Sequence, residues 1–287
     1  MEGRDRVTPQ TPLAASPPAA TRAGAASHLT VRDVAITYPA HAGKPAYTAV
    51  DGVDLQVDAG EFVTVVGPSG CGKSTLLLAI DGLVKPSRGE IALGGKAVTG
   101  PGPDRAMVFQ EFGLLPWRSV QRNVELGMEL NKRSDREAKA RELIRLVGLE
   151  GFERHHPHEL SGGMRQRVGI ARALAVDPDV LLMDEPFGAL DAQTREIMAE
   201  ELLKIWDQRR TTVVFVTHGI DESIYLADRV VVMGAKPGRI LETIEIDLPR
   251  PRTPDVRATP EFQAYRARIS ALLFGQTIDE RRVQDLS

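Results

Sequence analysis

The sequence holds a single cysteine, Cys71, among its 287 residues, so no disulfide bond can form within the chain. That scarcity fits a reducing compartment. Long apolar runs are also missing. Runs such as "VLLM" at 180–183 and "VVFV" at 213–216 have the length of strands and fall far short of the roughly 18–20 residues of a membrane-spanning helix. If the protein acts at a membrane, we expect another chain to span it.

The chain also lacks a strong charge of one sign. Its formal net charge is −3, so no overall basic field favours nucleic acid, and we expect no nucleic-acid partner. A hydrophobic content of 42% with 26% charged residues is ordinary for a globular protein with a substantial core. The N-terminal stretch "MEGRDRVTPQTPLAASPPAATRAGAAS" has no apolar core of the signal-peptide type. We predict a disordered tail over residues 1–28.

From residue 29 onward, short β-type runs alternate with helical runs. "LTVRDVAITY", "VDLQV" and "FVTVV" come first, and "DVLLMD", "TTVVFVT" and "RVVVM" return after a mostly helical block at about 111–173. The alternation predicts an α/β fold with a mostly parallel sheet, an antiparallel β portion near the N-terminus and an inserted helical subdomain. We place one domain at 29–245 and a C-terminal extension at 246–287.

The extension contains "PEFQAYRARISALLF" at 260–274, which puts apolar residues on one face of a predicted helix. Those residues are Phe262, Tyr265, Ile269 and either Leu272 or Leu273. We expect this amphipathic helix to pack against its own domain, and a membrane-surface or dimer role is the alternative.

The stretch "GPSGCGKST" at 67–75 follows the apolar run "EFVTVV" and precedes a helical run. It matches G-x-x-x-x-G-K-[ST] in the strand-to-helix context that this motif requires, which predicts a P-loop nucleotide triphosphatase core. Its glycines allow backbone N–H groups to surround phosphate oxygens at a helix N-terminus. We expect Lys73 to reach the β- and γ-phosphates and the Ser74 hydroxyl to bind Mg²⁺. The predicted nucleotide-binding residues of this phosphate loop are Gly67, Pro68, Ser69, Gly70, Cys71, Gly72, Lys73, Ser74 and Thr75.

Two further motifs carry chemistry. "DVLLMDEP" at 179–186 ends a buried strand in two carboxylates, and a buried charge must be paired or bind metal. Asp184 is therefore a candidate Mg²⁺ ligand, and Glu185 can orient or deprotonate an attacking water. "LSGGMRQRVGIARAL" at 160–174 places Ser161 as a helix cap, with Gly162 and Gly163 leaving the first N–H groups uncovered for an anion. A plain helix cap is the alternative for that third motif.

Together, these motifs resemble the ATP-binding subunit of an ATP-binding-cassette (ABC) transporter over about residues 29–245. The resemblance makes 67–75 the Walker A loop, the strand before Asp184 and Glu185 the Walker B strand, and 160–166 the signature. It further implies that Gln110 is the Q-loop glutamine, which binds the metal ion and takes part in catalysis. Asp191 in "GALD" is then the D-loop aspartate and His218 in "VTHGIDES" the switch histidine.

Two positions are less settled. Tyr38 falls where the family stacks an aromatic ring on adenine, although Tyr47 is a rival. Gly188 stands where many members have serine, and we expect only a minor effect.

The resemblance implies ATP and Mg²⁺ as cofactors and two copies facing head to tail, each ATP lying between one copy's Walker A loop and the other's Ser161, Gly162 and Gly163. "FQEFGLLPWRSVQRNVELG", "DEPFGALDAQTR" and "MGAKPGRI" look more narrowly like the nitrate, sulfonate and taurine importer group. The implied partners are permease subunits and, indirectly, a solute-binding protein. The implied place is the cytoplasmic face of the inner membrane. Alternatives are the ATPase subunit of an ABC transporter for another solute or of an exporter, a non-hydrolysing binding module, and a non-transport cassette protein acting on ribosomes or DNA.

The last expectation concerns Cys71, which lies two residues before Lys73. Backbone N–H groups and the nearby ammonium should lower the pKa of its thiol. We therefore expect this cysteine to react with maleimide and bound nucleotide to slow that reaction.

Overall fold

Two β-sheets and eight α-helices make up the part of the chain that the structure, a computed structural model, describes: residues 28–40 and 45–284. The tail predicted at 1–28 lies outside the described residues, apart from His28. The strands are β1 (Leu29–Tyr38), β2 (Tyr47–Val57), β3 (Phe62–Val66), β4 (Arg88–Leu93), β5 (Lys96–Ala97), β6 (Arg105–Val108), β7 (Val180–Asp184), β8 (Thr212–Thr217), β9 (Arg229–Gly234) and β10 (Arg239–Glu245).

The α-helices lie between and after these strands. They are α1 (Lys73–Asp81), α2 (Val120–Val124), α3 (Leu126–Leu130), α4 (Arg136–Leu146), α5 (Gly162–Leu174), α6 (Ala192–Arg209), α7 (Ile220–Leu226) and α8 (Pro260–Gln284). Short 3₁₀ helices occupy Pro157–Glu159 and Pro254–Ala258.

The first sheet is antiparallel and has the order β2-β1-β4-β5. The second has the order β10-β9-β3-β8-β7-β6, in which only β10 runs antiparallel to its neighbour. Strands β3 and β8 lie inside this sheet, and every one of their residues is buried, as near-continuous apolar runs of parallel strands require. The predicted α/β fold, with its mostly parallel sheet, antiparallel N-terminal portion and inserted helices, is confirmed.

The parallel sheet decides where polar side chains meet. Val66 at the end of β3 pairs with Thr217 at the end of β8, and Asp184 at the end of β7 pairs with Val216. The carboxyl ends of β3, β7 and β8 therefore share one edge of the sheet. The segments that leave this edge carry the phosphate loop, Glu185 and His218.

Apolar clusters fill both sides of the large sheet. One lies between this sheet, α1 and the antiparallel sheet, and Cys71 belongs to it. The other joins the sheet to helices α2 to α8. Helices α2 to α5 form the helical insertion between β6 and β7, while residues 111–119 contain no helix. The limits predicted for the domain and its insertion stay predictions.

The C-terminal helix α8 packs on the second cluster. Phe262 and Ile269 are fully buried there, and Tyr265, Leu272 and Leu273 lie partly buried against it. The apolar face read from the sequence thus contacts the chain's own core.

Candidate functional site

The phosphate loop, residues 67–75, turns sharply from β3 into α1. Gly70 and Gly72 have φ values of 79° and 89°, a left-handed conformation that costs glycine little. Gly67 is required for a different reason: a Cβ there would lie 2.6 Å from the Met233 carbonyl oxygen and 2.8 Å from Cys71 Sγ. Helix α1 begins at Lys73, so its first N–H groups point into the loop.

Lys73 folds back into this loop. Its Nζ donates hydrogen bonds to the carbonyl oxygens of Gly67 at 2.9 Å and Pro68 at 3.1 Å. The residue is 5% exposed, so the ammonium is held at the inner side of the loop. A cation fixed there complements the positive end of α1 in attracting phosphate.

Cys71 departs from expectation. Its side chain is completely buried in the cluster between the two sheets. Burial raises the pKa of the thiol, and the nearby Lys73 ammonium opposes this only in part. The predicted low pKa is wrong because the side chain points into the apolar core, where desolvation disfavours a thiolate. Its backbone remains part of the loop.

Ser74 and Asp184 meet at the sheet edge. The Ser74 hydroxyl donates a hydrogen bond of 2.8 Å to Asp184 Oδ1. Burial raises the pKa of Asp184, whereas the bond from Ser74 lowers it. The chain thus brings two hard oxygen atoms together from motifs 110 residues apart. Such oxygens are the ligands that Mg²⁺ prefers.

Glu185 and His218 form a second pair beside the first. His218 Nδ1 lies 3.2 Å from Glu185 Oε2, and the His218 side chain is 53% exposed. The Glu185 backbone has a φ of 43°, and its N–H donates to the Val216 carbonyl at 2.9 Å. A non-glycine residue held in this unfavourable region of backbone space is a common feature of functional sites. This carboxylate has the position and the partner of a group that handles a water molecule.

Gln110 lies next to the turn that carries Glu185. A Cβ added to Gly188 would lie 3.3 Å from Gln110 Nε2 and 3.2 Å from the Glu185 carbonyl oxygen. Gly188 therefore provides the room that the glutamine amide occupies. The effect of this glycine stays a prediction.

Ser161, Gly162 and Gly163 lie at the start of α5, and their described contacts are away from the phosphate loop. Ser161 Oγ accepts a hydrogen bond from the Met164 N–H at 3.3 Å. Cβ atoms on Gly162 and Gly163 would each lie 3.2 Å from α6 or the turn before it, at Leu190 and Thr194. The three residues therefore offer a second helix N-terminus to an anion.

Asp191 caps α6. Its carboxylate accepts hydrogen bonds from the Thr194 N–H at 3.0 Å and the Thr194 hydroxyl at 2.6 Å. The two bonds hold the pKa of Asp191 below its usual value. Thr194 also lies against Gly163, so this cap of α6 is next to the start of α5.

Tyr38 and Tyr47 are cross-strand partners on β1 and β2. They are 42% and 49% exposed, so both rings can receive a flat ligand. Only Tyr47 has a described contact with the phosphate loop: its hydroxyl donates to the Gly70 carbonyl at 3.4 Å.

Sequence reasoning missed Thr217 and Glu222, which flank His218. Thr217 Oγ1 donates a short hydrogen bond to Glu222 Oε2 and accepts one from the Gly219 N–H at 2.9 Å. The available signal was a hydroxyl directly before the histidine and a carboxylate four residues after it.

Comparison with known proteins gives this geometry its context. The ABC transporter family profile matches residues 50–188. An uncharacterized ABC transporter ATP-binding protein of Methanocaldococcus jannaschii is 55% identical over 227 residues, or 78% of this chain and 84% of the relative. The chain belongs to the ABC transporter ATP-binding family.

Two relatives of this family have names that specify a transported solute. A taurine import ATP-binding protein, TauB, of Rhizobium johnstonii is 49% identical over 85% of this chain and 96% of its own length. An aliphatic sulfonates import ATP-binding protein, SsuB, of Bacillus cereus is 49% identical over 77% of this chain and 86% of its own length.

A solved ABC cassette, MJ0796, shares the fold. It has 34% sequence identity and a TM-score of 0.67, and the match covers 77% of this chain and 99% of that one. MJ0796 forms a dimer, seen bound to ADP and phosphate in a post-hydrolysis state. The present chain is accordingly an ABC ATPase that binds and hydrolyses ATP. In its described part, no helix is long and apolar enough to cross a membrane.

Proposed function

We propose that this protein is the ATPase subunit of an ABC importer for a small anion of the nitrate, sulfonate or taurine type. The main observation in favour of an ATPase site is that two side-chain pairs lie at the same edge of the sheet: Ser74 with Asp184, and Glu185 with His218. The names of TauB and SsuB, which match most of this chain, favour a sulfonate among these anions.

Ser74, Gln110 and Asp184 are the side chains that would hold Mg²⁺, and their oxygen atoms fit its preference. When bound, the ion neutralises charge on the β- and γ-phosphates. Lys73 and the backbone N–H groups of the phosphate loop would bind the same phosphates. The Ser74–Asp184 contact supports this assignment, because it brings two of the three residues together without help from a ligand.

Glu185 is the group that positions the attacking water and accepts its proton. His218 donates to Glu185 or to the γ-phosphate and so stabilises charge as the bond between the γ-phosphorus and the ADP leaving group breaks. The 3.2 Å contact between the two side chains supports a joint role. Gln110 lies beside Gly188, and its side-chain amide is the third group that we assign to catalysis next to Glu185.

The second copy completes each site with Ser161, Gly162 and Gly163, as the head-to-tail family dimer implies. Their contacts within one chain are with the α6 region, which leaves the N-terminus of α5 for a partner's nucleotide. Asp191 holds the adjacent turn. We propose that the ring of Tyr38 stacks on adenine. Tyr47 remains the alternative, because its hydroxyl contacts Gly70 in the phosphate loop.

We place the protein on the cytoplasmic face of the inner membrane, bound to separate permease subunits that a solute-binding protein supplies. The segment after Gln110 supports a docking role: Trp117 is 72% exposed there. An exposed large aromatic side chain of this kind is typical of protein interfaces.

Glu185→Gln tests the catalytic assignment. The amide keeps the size of the side chain but cannot accept the proton, so kcat should fall about 10²–10⁴-fold, the typical contribution of a general base. ATP affinity should persist, and ATP-dependent dimers should accumulate in size-exclusion chromatography. Glu150→Gln is the matched control, because Glu150 is exposed and paired only with Arg145 in the described contacts. A near wild-type rate for Glu185→Gln would remove this residue from the mechanism.

Transport specificity requires the assembled complex. We would copurify the permease and measure ATPase stimulation by its binding protein loaded with taurine, an alkanesulfonate or nitrate. Stimulation by the binding protein loaded with one of these anions supports the importer, and an ATPase rate that none of the loaded forms raises above the rate without binding protein would contradict it.

A further inference from the structure

A hydrogen-bonded chain surrounds the backbone of His218. Thr217 closes β8 and is 2% exposed, while Glu222 lies in the first turn of α7. The Thr217 hydroxyl contacts Glu222 Oε2, and the Gly219 N–H donates to the same hydroxyl oxygen at 2.9 Å. His218 lies between Thr217 and Gly219, so both of its chain neighbours are tied to one hydroxyl group.

The direction of these bonds follows from simple counting. A hydroxyl group has one proton to donate and two lone pairs to accept with. The Gly219 N–H donates to one lone pair of the Thr217 hydroxyl oxygen, and the carboxylate of Glu222 accepts the hydrogen bond that the hydroxyl donates. With Glu222 absent, the hydroxyl would be free to turn toward another acceptor and its bond from Gly219 would weaken.

The turn leaves little freedom for other arrangements. A Cβ on Gly219 would lie 3.3 Å from Glu222 Cβ and 3.5 Å from Thr217 Oγ1. Contacts this close leave Glu222 and Thr217 little room to move independently of Gly219.

Glu222 occupies an unfavourable place for a carboxylate. Its Oε1 atom is buried and has no hydrogen-bond partner among the described residues. Burial raises the pKa of Glu222, and the hydrogen bond from Thr217 and the charge of Arg195 oppose that rise. A polar atom left unsatisfied in a native structure calls for an explanation, and a functional role is one.

We propose that Glu222 is a positioning residue: through Thr217 it fixes the turn that holds His218 against Glu185. The proposal rests on the proposed roles of Glu185 and His218, whose side chains lie 3.2 Å apart. Glu222 would not touch ATP. It would act on turnover by keeping the histidine ring in place while nucleotide binding depends on the phosphate loop.

Four variants test this chain of contacts in the full-length protein. Glu222→Ala and Thr217→Val should each lower kcat about 10–100-fold, the usual effect of losing a group that orients a catalytic side chain. KM for Mg-ATP should stay within about twofold, because these residues do not line the phosphate loop. Thr217→Ser retains the hydroxyl and should retain most of the activity. The double variant, which combines Glu222→Ala with Thr217→Val, should be no worse than the poorer single variant, since both changes break one unit.

Asp221→Asn is the matched control. It also removes a carboxylate charge from the first turn of α7, but Asp221 is exposed and pairs with Arg266 at 3.0 Å. Its kcat should equal that of the wild type. Thermal unfolding of every variant separates turnover per folded molecule from stability.

Each outcome decides the matter. If Thr217→Ser is as impaired as Thr217→Val, or if the losses lie in Tm alone with kcat per folded molecule unchanged, Glu222 has only a structural role. If Glu222→Ala fails to fold, the comparison of Thr217→Val with Thr217→Ser still tests the proposal. His218→Ala and Glu185→Gln serve as references: full turnover in both would contradict the proposed function itself, whereas their loss beside an active Glu222→Ala would overturn only the present inference.

Discussion

The Ser74 hydroxyl donates to Asp184 Oδ1 across 2.8 Å, which joins the start of α1 to the end of β7. Burial raises the pKa of Asp184, so the carboxylate needs a partner, and one hydroxyl satisfies only part of its capacity. A divalent cation would supply the positive charge that the neutral hydroxyl lacks. The pair therefore predicts how the enzyme responds to Mg²⁺.

Asp184→Asn should weaken the binding of Mg²⁺ that ATPase activity requires. The amide keeps the shape and one oxygen but loses the charge, so the Mg²⁺ concentration for half-maximal activity should rise about 10–100-fold. The measurement is the rate against Mg²⁺ at fixed ATP. Asp207→Asn, a change on the far end of α6 at a residue paired with Arg210, is the control. An unchanged Mg²⁺ profile in Asp184→Asn would count against this ligand.

Mixed dimers should show that the active site is shared between copies. Ser161→Arg places a long cation at the N-terminus of α5, whose contacts in one chain are remote from the phosphate loop. It should abolish hydrolysis while monomer ATP affinity stays near that of the wild type. Mixing it with Lys73→Ala gives heterodimers with one site that carries both lesions and one that carries neither.

Activity should therefore reappear in that mixture, measured as ATPase rate against the mole ratio of the two variants. Proven heterodimers without any activity would argue against simple sharing in trans. Each variant alone, at the same total concentration, is the control.

Cys71 should be protected from thiol reagents in the folded protein. Its side chain is fully buried, and burial raises the pKa of its thiol, so little thiolate is present near neutral pH. Maleimide incorporation should be slow under native conditions and fast in denaturant, as followed by intact mass. Because the folded-state pKa is the raised one, any native reaction should continue to accelerate above the ordinary thiol pKa. Rapid native labelling at pH 7 would contradict this burial.

Arg252 should contribute strongly to stability. Its guanidinium is buried and donates to the carbonyl oxygens of Ile224, Tyr225 and Ala227 at 3.0, 2.9 and 2.6 Å, at the C-terminal end of α7. Burial lowers the pKa of Arg252 to about 9, which leaves it charged at neutral pH. The cation thus complements the negative end of the helix dipole.

Arg252→Met should lower the free energy of unfolding by about 3 kcal/mol, because buried carbonyl groups lose their donor. Chemical denaturation measures this loss. Arg136→Met, a change at the first residue of α4, is the control and should alter stability by less than about 0.5 kcal/mol. Equal stability of wild type and Arg252→Met would show that other groups satisfy these carbonyls.

The residues that the sequence identified most securely are those whose chemistry is written locally. Glycines before Lys73 and the apolar run before Asp184 predict a loop and a buried strand from adjacent letters. Contacts between distant segments were harder to foresee. The pairing of His218 with Glu185 depends on β7 and β8 being neighbours in register, which no local pattern states.

Cys71 shows why sequence proximity can mislead. It lies two residues from Lys73, yet the backbone turns its side chain toward the apolar cluster instead of the phosphates. The positive φ values of Gly70 and Gly72 on either side produce this turn. Chain neighbours in a tight loop commonly face opposite directions, so the environment of one side chain does not describe that of the next.

The tight packing beneath the phosphate loop also has a thermodynamic consequence. Gly67 has no space for a Cβ, and a Cβ on Gly238, which follows β9, would lie 2.0 Å from the Cys71 carbonyl oxygen. The loop is thus built against the β9–β10 connection when the chain folds. Nucleotide binding then has little backbone left to order, so the entropy that a flexible loop would lose on each encounter is already lost during folding. Each round of ATP binding therefore starts from the same backbone conformation of the phosphate loop.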